Sequence, residues 1–380
     1  MYGEKSESSR SMNRSFFLAA VLLLSQSAPS FAQDIVLGQS AALSGPAQEL
    51  GKEMMLGAKT YFDAVNASGG VRGKKIVLRT LDDGYEPARA EANTKKFVED
   101  GDVLALFGYV GTPTSAVSIP VASKAKLPFF GAFTGAELLR TPLNRYVFNV
   151  RASYFDETEA IVRQMTQGGV TKIAVFHQND SYGQAGLAGV ERALTKRQLQ
   201  VVAKATVERN STDVAAAVAT MLAAKPEVII MVSAYSSCSE FIKQIKAKDL
   251  PTRFVNVSFV GTKPLAKALG AAADGVMISQ VMPPPTANKF PVVVEYQKAL
   301  KAASVTDMSY TSLEGYIAAK VMVEALRRGG DASREALVKA LESMRNVDVG
   351  GFNVSFSPDN HNASIFVELT VLNKKGEVRY

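Results

Sequence analysis

Apolar residues along this chain alternate between two spacings. Short runs rich in β-branched and aromatic residues fall at 35–38, 75–81, 103–107 and 127–130, each long enough for a strand and too short for a helix. Between them, residues 51–66, 87–99 and 113–125 carry apolar side chains at helical spacing. Strand, helix, strand, helix in that order predicts a parallel sheet with helices on both faces, because parallel neighbours need a long crossover. Gly69, Gly70 and Gly73 mark the first helix stop and the turn into the next strand. The rhythm restarts after residues 146–150, with strands expected at 172–176, 201–207, 228–232, 254–257 and 275–281. Helices are expected between them at 155–167, 182–196, 213–223, 237–246 and 263–269.

The run Met282-Pro283-Pro284-Pro285 breaks this pattern and reads as a linker. Helices follow at 291–302, 310–328 and 333–343, then β-rich segments at 351–355 and 366–373. The expected architecture is α/β: two Rossmann-like lobes with parallel sheets, one built from residues 33–149 plus 282–350 and the other from 150–281 plus 351–380. The chain would cross between them near residues 150, 282 and 350. Three crossings make a hinge rather than a loose tether, which suits closure around a ligand.

Residues 1–32 stand apart. A basic residue, Arg14, precedes the apolar run 16–24, and Ser30 and Ala32 supply the small side chains a signal peptidase requires. Cleavage is expected after Ala32, giving an exported, soluble chain. The run falls short of the ~20 apolar residues that span a bilayer. The formal net charge is +7, of which Glu4, Lys5, Glu7, Arg10 and Arg14 contribute +1, so the rest carries +6. Lys and Arg are scattered rather than clustered, which argues against nucleic acid and for mild steering of anions. The lone Cys238 cannot form an internal disulfide and reads as a packed thiol.

Catalytic and cofactor motifs are missing from the sequence. His177 and His361 have no metal-ligand spacing, and there is no nucleophile elbow, Walker loop or dinucleotide fingerprint. No cofactor and no enzymatic activity are expected. Asp82 and Asp83, adjacent at a strand end, read as a solvated turn. The informative segment is Phe107-Gly108-Tyr109-Val110-Gly111-Thr112-Pro113-Thr114-Ser115. Here Thr112 is the expected N-cap and Pro113 the first helical residue, at the carboxyl end of a parallel strand, where open α/β sheets bind ligands. The free amides and positive dipole end there favour a carboxylate, although the same residues also serve plain helix capping. Phe133-Thr134-Gly135 offers a second hydroxyl at the same sheet edge. In the second half, Tyr182, Tyr235 and Ser258 follow strand ends, and the two tyrosines could close over a ligand or pack beneath their own loops.

Taken in order, these segments resemble the periplasmic leucine/isoleucine/valine-binding proteins of ABC importers, with a type I periplasmic-binding fold. The resemblance runs from about Asp34 to the C-terminus. It rests on Leu43-Ser44-Gly45-Pro46, Asn66-Ala67-Ser68-Gly69-Gly70-Val71-Arg72-Gly73, Asp82-Asp83, the Gly108 to Ser115 loop, Ala132-Phe133-Thr134, Tyr182-Gly183 and Ser233-Ala234-Tyr235. It implies a periplasmic, monomeric receptor that captures an amino acid or related small carboxylate between two lobes and delivers it to ABC permease subunits. A sensing module of the same fold, or an amide receptor, is the alternative. By resemblance, Thr112 holds the ligand carboxylate, Ala132 and Thr134 give backbone and hydroxyl contacts, and Tyr182 and Tyr235 come from the closing lobe. Three departures stand out. Ser258 replaces the glutamate that pairs with a ligand's α-ammonium, Leu50 replaces a first-loop tyrosine, and the enteric disulfide is absent at both Tyr85 and Gly111. A buried ammonium without a counter-charge is costly, so an aromatic or branched acid lacking one fits better, unless Asp180 supplies the charge.

Overall fold

Ile35–Ala41, seven consecutive buried residues, form the first strand, β1, of a sheet covered on both faces. The structure is a computed structural model that describes residues 1–4 and 34–379; the apolar run of the expected leader and its cleavage point lie outside the described residues. After β1 come α1 (Gln48–Ala67), β2 (Ile76–Asp82), α2 (Pro87–Asp100), β3 (Val103–Phe107), α3 (Thr112–Lys124), β4 (Phe129–Phe130) and β5 (Val147–Phe148). These strands make a five-stranded sheet of order β2-β1-β3-β4-β5, with every pairing parallel.

The chain then leaves this sheet. Ser153 caps α4 (Tyr154–Gln167) in a capping box with Asp156, which fixes where the second lobe starts. β6 (Ile173–Gln178), α5 (Ser181–Thr195), β7 (Lys204–Val207), α6 (Ala215–Ala224), β8 (Val228–Val232), α7 (Tyr235–Lys246), β9 (Arg253–Asn256), α8 (Thr262–Leu269) and β10 (Met277–Gln280) follow. Helices α9 (Pro291–Ala302), α10 (Tyr310–Arg328) and α11 (Arg334–Glu342) return to the first lobe. A short ladder of β11 (Val347–Asp348) and β12 (Asn353–Val354) precedes β13 (Glu368–Leu372) and β14 (Val378–Arg379). The second sheet has the order β14-β13-β10-β9-β8-β6-β7, parallel except for β13 and β14, which run antiparallel to their neighbours. The chain thus has the expected two α/β lobes.

The third crossing lies later than the expected residue 350. The His361 ring stacks on Phe148 at 3.9 Å, the N–H of Asn149 donates to the His361 carbonyl at 2.8 Å, and that of Phe356 donates to Met344 at 2.7 Å. Residues 351–363 therefore stay on the first lobe, and the chain reaches the second sheet at β13. The short β12 pairs with its own hairpin partner instead of joining that sheet.

Helices α1 and α10 approach through glycine. A Cβ on Gly57 would lie 1.7 Å from the Ser312 carbonyl oxygen, and one on Gly315 would lie 2.3 Å from that of Met54. Both clashes are with backbone, so neither side can yield. Gly57→Ala is expected to destabilise the fold by about 1–3 kcal/mol despite alanine's better helix propensity. Urea unfolding checks this, and an unchanged midpoint would show that the two helices are free to separate.

Candidate functional site

The carboxyl ends of β3 and β4 carry the two hydroxyls expected to form the site. Thr112 is not the N-cap. Gly111, with φ 100°, takes that place, and Thr112 is the first helical residue. Its hydroxyl consequently does not cap its own helix but meets the Thr134 hydroxyl at 2.6 Å, both residues being fully buried. The Ser115 N–H closes the first turn on the Gly111 carbonyl at 3.2 Å. The amides of Thr112 and Thr114 thus lie at the positive end of α3. Ala132 is buried beside them and accepts the Thr134 N–H at 2.9 Å. Gly111 also admits the ring of Tyr85, whose Cε2 would lie 2.2 Å from a Cβ there. The two positions aligned with the enteric disulfide are in contact, with a ring on a glycine.

Thr134 leads into the second lobe through the Tyr154 hydroxyl at 3.3 Å, at the start of α4. Tyr154 packs on Tyr182 with ring centroids 5.5 Å apart, and Tyr182 packs on Phe259 at 4.6 Å. Phe259 in turn meets Phe133 at 5.3 Å and Tyr85 at 5.9 Å, both from the first lobe. Rings from both lobes thus converge on the start of α3. Burial drives the Tyr85 and Tyr182 phenols well above their ordinary range and pushes that of Tyr154 up to about 12, so all three keep their protons as hydrogen-bond donors. Tyr182 Oη is buried and has no hydrogen-bond partner.

A buried charge cluster, which the sequence did not point to, joins this ring set. Arg151 lies on the crossing segment between β5 and α4, its guanidinium 5.0 Å from the Phe133 ring centroid and 6.0 Å from that of Tyr154. It pairs with Glu157 of α4 at 3.1 Å and with Glu314 of α10 at 3.5 Å, and Nη2 also donates to the Ser258 hydroxyl. The Glu157 carboxylate further accepts from the Ser258 N–H at 2.8 Å, the Ser258 hydroxyl at 3.0 Å and the Ser279 hydroxyl at 2.5 Å. Burial opposes the charge of Arg151, but Glu314 and Glu157 outweigh it and raise the guanidinium above its ordinary range. Burial pushes Glu314 up to about 7, against the pull of Arg151. Nearby, Arg140 is also buried and donates to the carbonyls of Ala136 at 2.9 Å and Arg151 at 3.0 Å. Below about pH 7, where Glu314 holds its proton, the four groups sum to one positive charge.

Leu50 and Tyr235 sit apart from this cluster, on the seam between the lobes. Leu50, near the start of α1, would lie 2.5 Å from a Cβ on Gly261 of the second lobe. The Tyr235 hydroxyl, half-buried, is held by the backbone of Glu49. Further links across the seam include Arg209 to Glu86 at 2.9 Å and Lys263 to Glu53 at 3.2 Å. Asp180 does not supply a spare charge. Its carboxylate caps α5 through the Tyr182 N–H at 3.0 Å and pairs with Arg209 at 3.3 Å. Nor do Asp82 and Asp83 make a solvated turn. Asp82 accepts from Ser44, Leu43, Gly84 and Arg89, and buried Asp83 accepts from Ser40 and Tyr85, which together pin the loop after β1. Among the described residues, no cluster of side chains could hold a metal ion, and no helix is long and apolar enough to cross a membrane.

The sequence profile of a family described as periplasmic binding protein matches residues 34–377. A solved structure described as a possible leucine/isoleucine/valine-binding protein from Rhodopirellula baltica SH 1 is 36% identical, with a TM-score of 0.89 over 93% of this chain and 98% of its own. A substrate-binding periplasmic protein from Ralstonia solanacearum is 33% identical, with a TM-score of 0.85 over 91% of this chain and 99% of its own. The Leu/Ile/Val-binding protein homolog 7 of Brucella melitensis is 28% identical over 91% of this chain and 90% of its own length.

Proposed function

We propose, from the premise that this chain belongs to the periplasmic binding protein family, that it is an exported solute receptor. It captures a small carboxylate lacking an α-ammonium between its lobes and presents the closed form to an ABC permease. The leader is removed after Ala32, and the receptor works without catalysis. The observation that carries this reading is the contact between Arg151 and Ser258. Ser258 stands where the leucine-binding resemblance calls for an acid facing the ligand's ammonium. Here that point touches a resident ion pair, the Arg151 guanidinium and the Glu157 carboxylate that already neutralises it, so the acid beside Ser258 is engaged by the protein's own cation and the ligand need bring only the anion.

The carboxylate is received by Thr112, Thr134 and the first amides of α3, with one surplus positive charge behind them. Tyr182 and Phe259 close over it from the second lobe and Phe133 and Tyr85 from the first, which gives an apolar wall for a branched or aromatic side chain. Leu50 and Tyr235 act as closure contacts at the rim. The names of the Rhodopirellula and Brucella relatives support a branched-chain carbon skeleton.

Thr112→Ala and Thr134→Val each remove one buried hydroxyl from the anion's path, and each is expected to weaken binding of isocaproate and hydrocinnamate about tenfold. Calorimetry measures this, and full affinity in both variants would remove the site assignment. N-terminal sequencing of protein recovered from the periplasm tests the cleavage, with Gln33 as the expected first residue.

A further inference from the structure

Two buried polar atoms within the ring and charge cluster have no hydrogen-bond partner: the Tyr182 hydroxyl and Arg151 Nε. Both can donate, and Arg151 Nε can do nothing else. The Tyr182 phenol is held neutral by burial, and the groups acting on it next are Tyr154, Cys238, Tyr85 and Glu157. Tyr154 is the residue whose hydroxyl joins Thr134, and its ring packs on that of Tyr182 with centroids 5.5 Å apart. The carboxylates of the cluster are already engaged. Glu157 accepts from Arg151, Ser258 and Ser279, and Glu314 faces Arg151. The orphan atoms of the ring and charge cluster are thus both donors, and the orphan acceptors Asn149 Oδ1 and Asn256 Oδ1 belong to amides turned to the Leu139 and Met277 carbonyls.

A buried donor left unpaired costs about as much as a lost hydrogen bond. An α-amino acid worsens the mismatch, since its ammonium adds donors and a like charge beside Arg151. A plain carboxylic acid leaves the orphan donors unpaired. An α-keto acid matches the cluster, because its carbonyl oxygen sits one carbon from the carboxylate and only accepts. Resting on the reading of the site as a receptor for an ammonium-free carboxylate, we propose that the captured solute is an α-keto acid with a branched or aromatic side chain. Its carboxylate lies on Thr112 and Thr134, and its keto oxygen accepts from Tyr182 and from Arg151.

The test compares two series of three compounds on the same chain by calorimetry: α-ketoisocaproate, isocaproate and leucine, and likewise phenylpyruvate, hydrocinnamate and phenylalanine. Each α-keto acid is expected to bind at least about tenfold more tightly than the plain acid of its series. Tyr182→Phe keeps the ring packing and removes the orphan hydroxyl. It is expected to weaken α-keto acid binding about tenfold more than plain-acid binding, a split that a loss of packing would not produce. Equal affinity for keto and plain acids in the parent chain would overturn the keto assignment and leave capture of an ammonium-free carboxylate standing. Tighter binding of leucine or phenylalanine than of either acid, or no binding in either series, would overturn both.

Discussion

Arg151→Met is expected to destabilise the fold by about 3–5 kcal/mol and to abolish carboxylate binding, because it leaves the Glu157 carboxylate buried without its cation. Arg151 and Glu157 are both fully buried, so neither can turn to water when its partner is removed. The donors that remain to Glu157, from Ser258 and Ser279, supply dipoles but no counter-charge. A double-mutant cycle separates the pair from its surroundings. Arg151→Met combined with Glu157→Gln should recover a large part of the stability lost in the single variant, since the second change removes the stranded charge. It should not recover binding, because the resident cation is still gone. Urea unfolding and calorimetry on the same four proteins read the two effects apart. A single variant as stable as the parent would show that water reaches this cluster.

The second large effect is a pH dependence centred on Glu314. Its carboxyl is raised by burial to about 7, from 4.5 in the unfolded chain, and the charged groups facing it are Arg151, Glu157 and Arg140. A carboxyl whose folded value lies above its unfolded value binds its proton more tightly in the fold. The stabilisation is therefore complete below pH 4.5 and is lost as pH rises through about 7. The interval amounts to about 3 kcal/mol. Asp83, raised to about 6 by burial, adds a slope of the same sign, and buried His361, lowered by burial, adds one of opposite sign. The difference between the parent and Glu314→Gln isolates the Glu314 contribution. The parent should lose stability relative to the variant between pH 4.5 and 7, and the two curves should run parallel below that interval. Anion affinity should fall over the upper part of the same range, as Glu314 ionises and the surplus positive charge disappears.

Much of the fold was legible because local signals agreed with the tertiary answer. The helices expected at 291–302 and 310–328 have those bounds in the structure, with Pro291 in the first turn of α9 and the Ser309 side chain capping α10. The strand at 351–355 was misleading. Its alternation is real, but Asn353–Val354 pairs with the adjacent Val347–Asp348, and the chain beyond turns back to Phe148 through His361. Hydrophobic period reports which face is buried, not which sheet buries it.

The placement of Thr112, Thr134 and Tyr182 at strand ends and helix starts was legible. Thr112 was placed one position early because Gly111, in left-handed backbone, takes the cap itself. Arg151, Glu157 and Glu314 were missed. Arg151 and Glu157 are only 6 residues apart, but the rest of their cluster is distant in the chain: Glu314 lies 163 residues from Arg151 and Ser258 lies 101 from Glu157. The available signal was a lone acid within the apolar run Leu313-Glu314-Gly315-Tyr316-Ile317 and a lone base after β5. A charge in such a setting needs a partner that periodicity cannot identify.

Calorimetric titration of the unmodified chain with leucine and with isocaproate, which differ by the ammonium alone, bears most directly on whether Arg151 has taken the place of that cation. Micromolar binding of isocaproate with leucine at least about a hundredfold weaker is the predicted result. Micromolar binding of leucine would contradict it, because the ammonium would then have found a counter-charge beside Ser258.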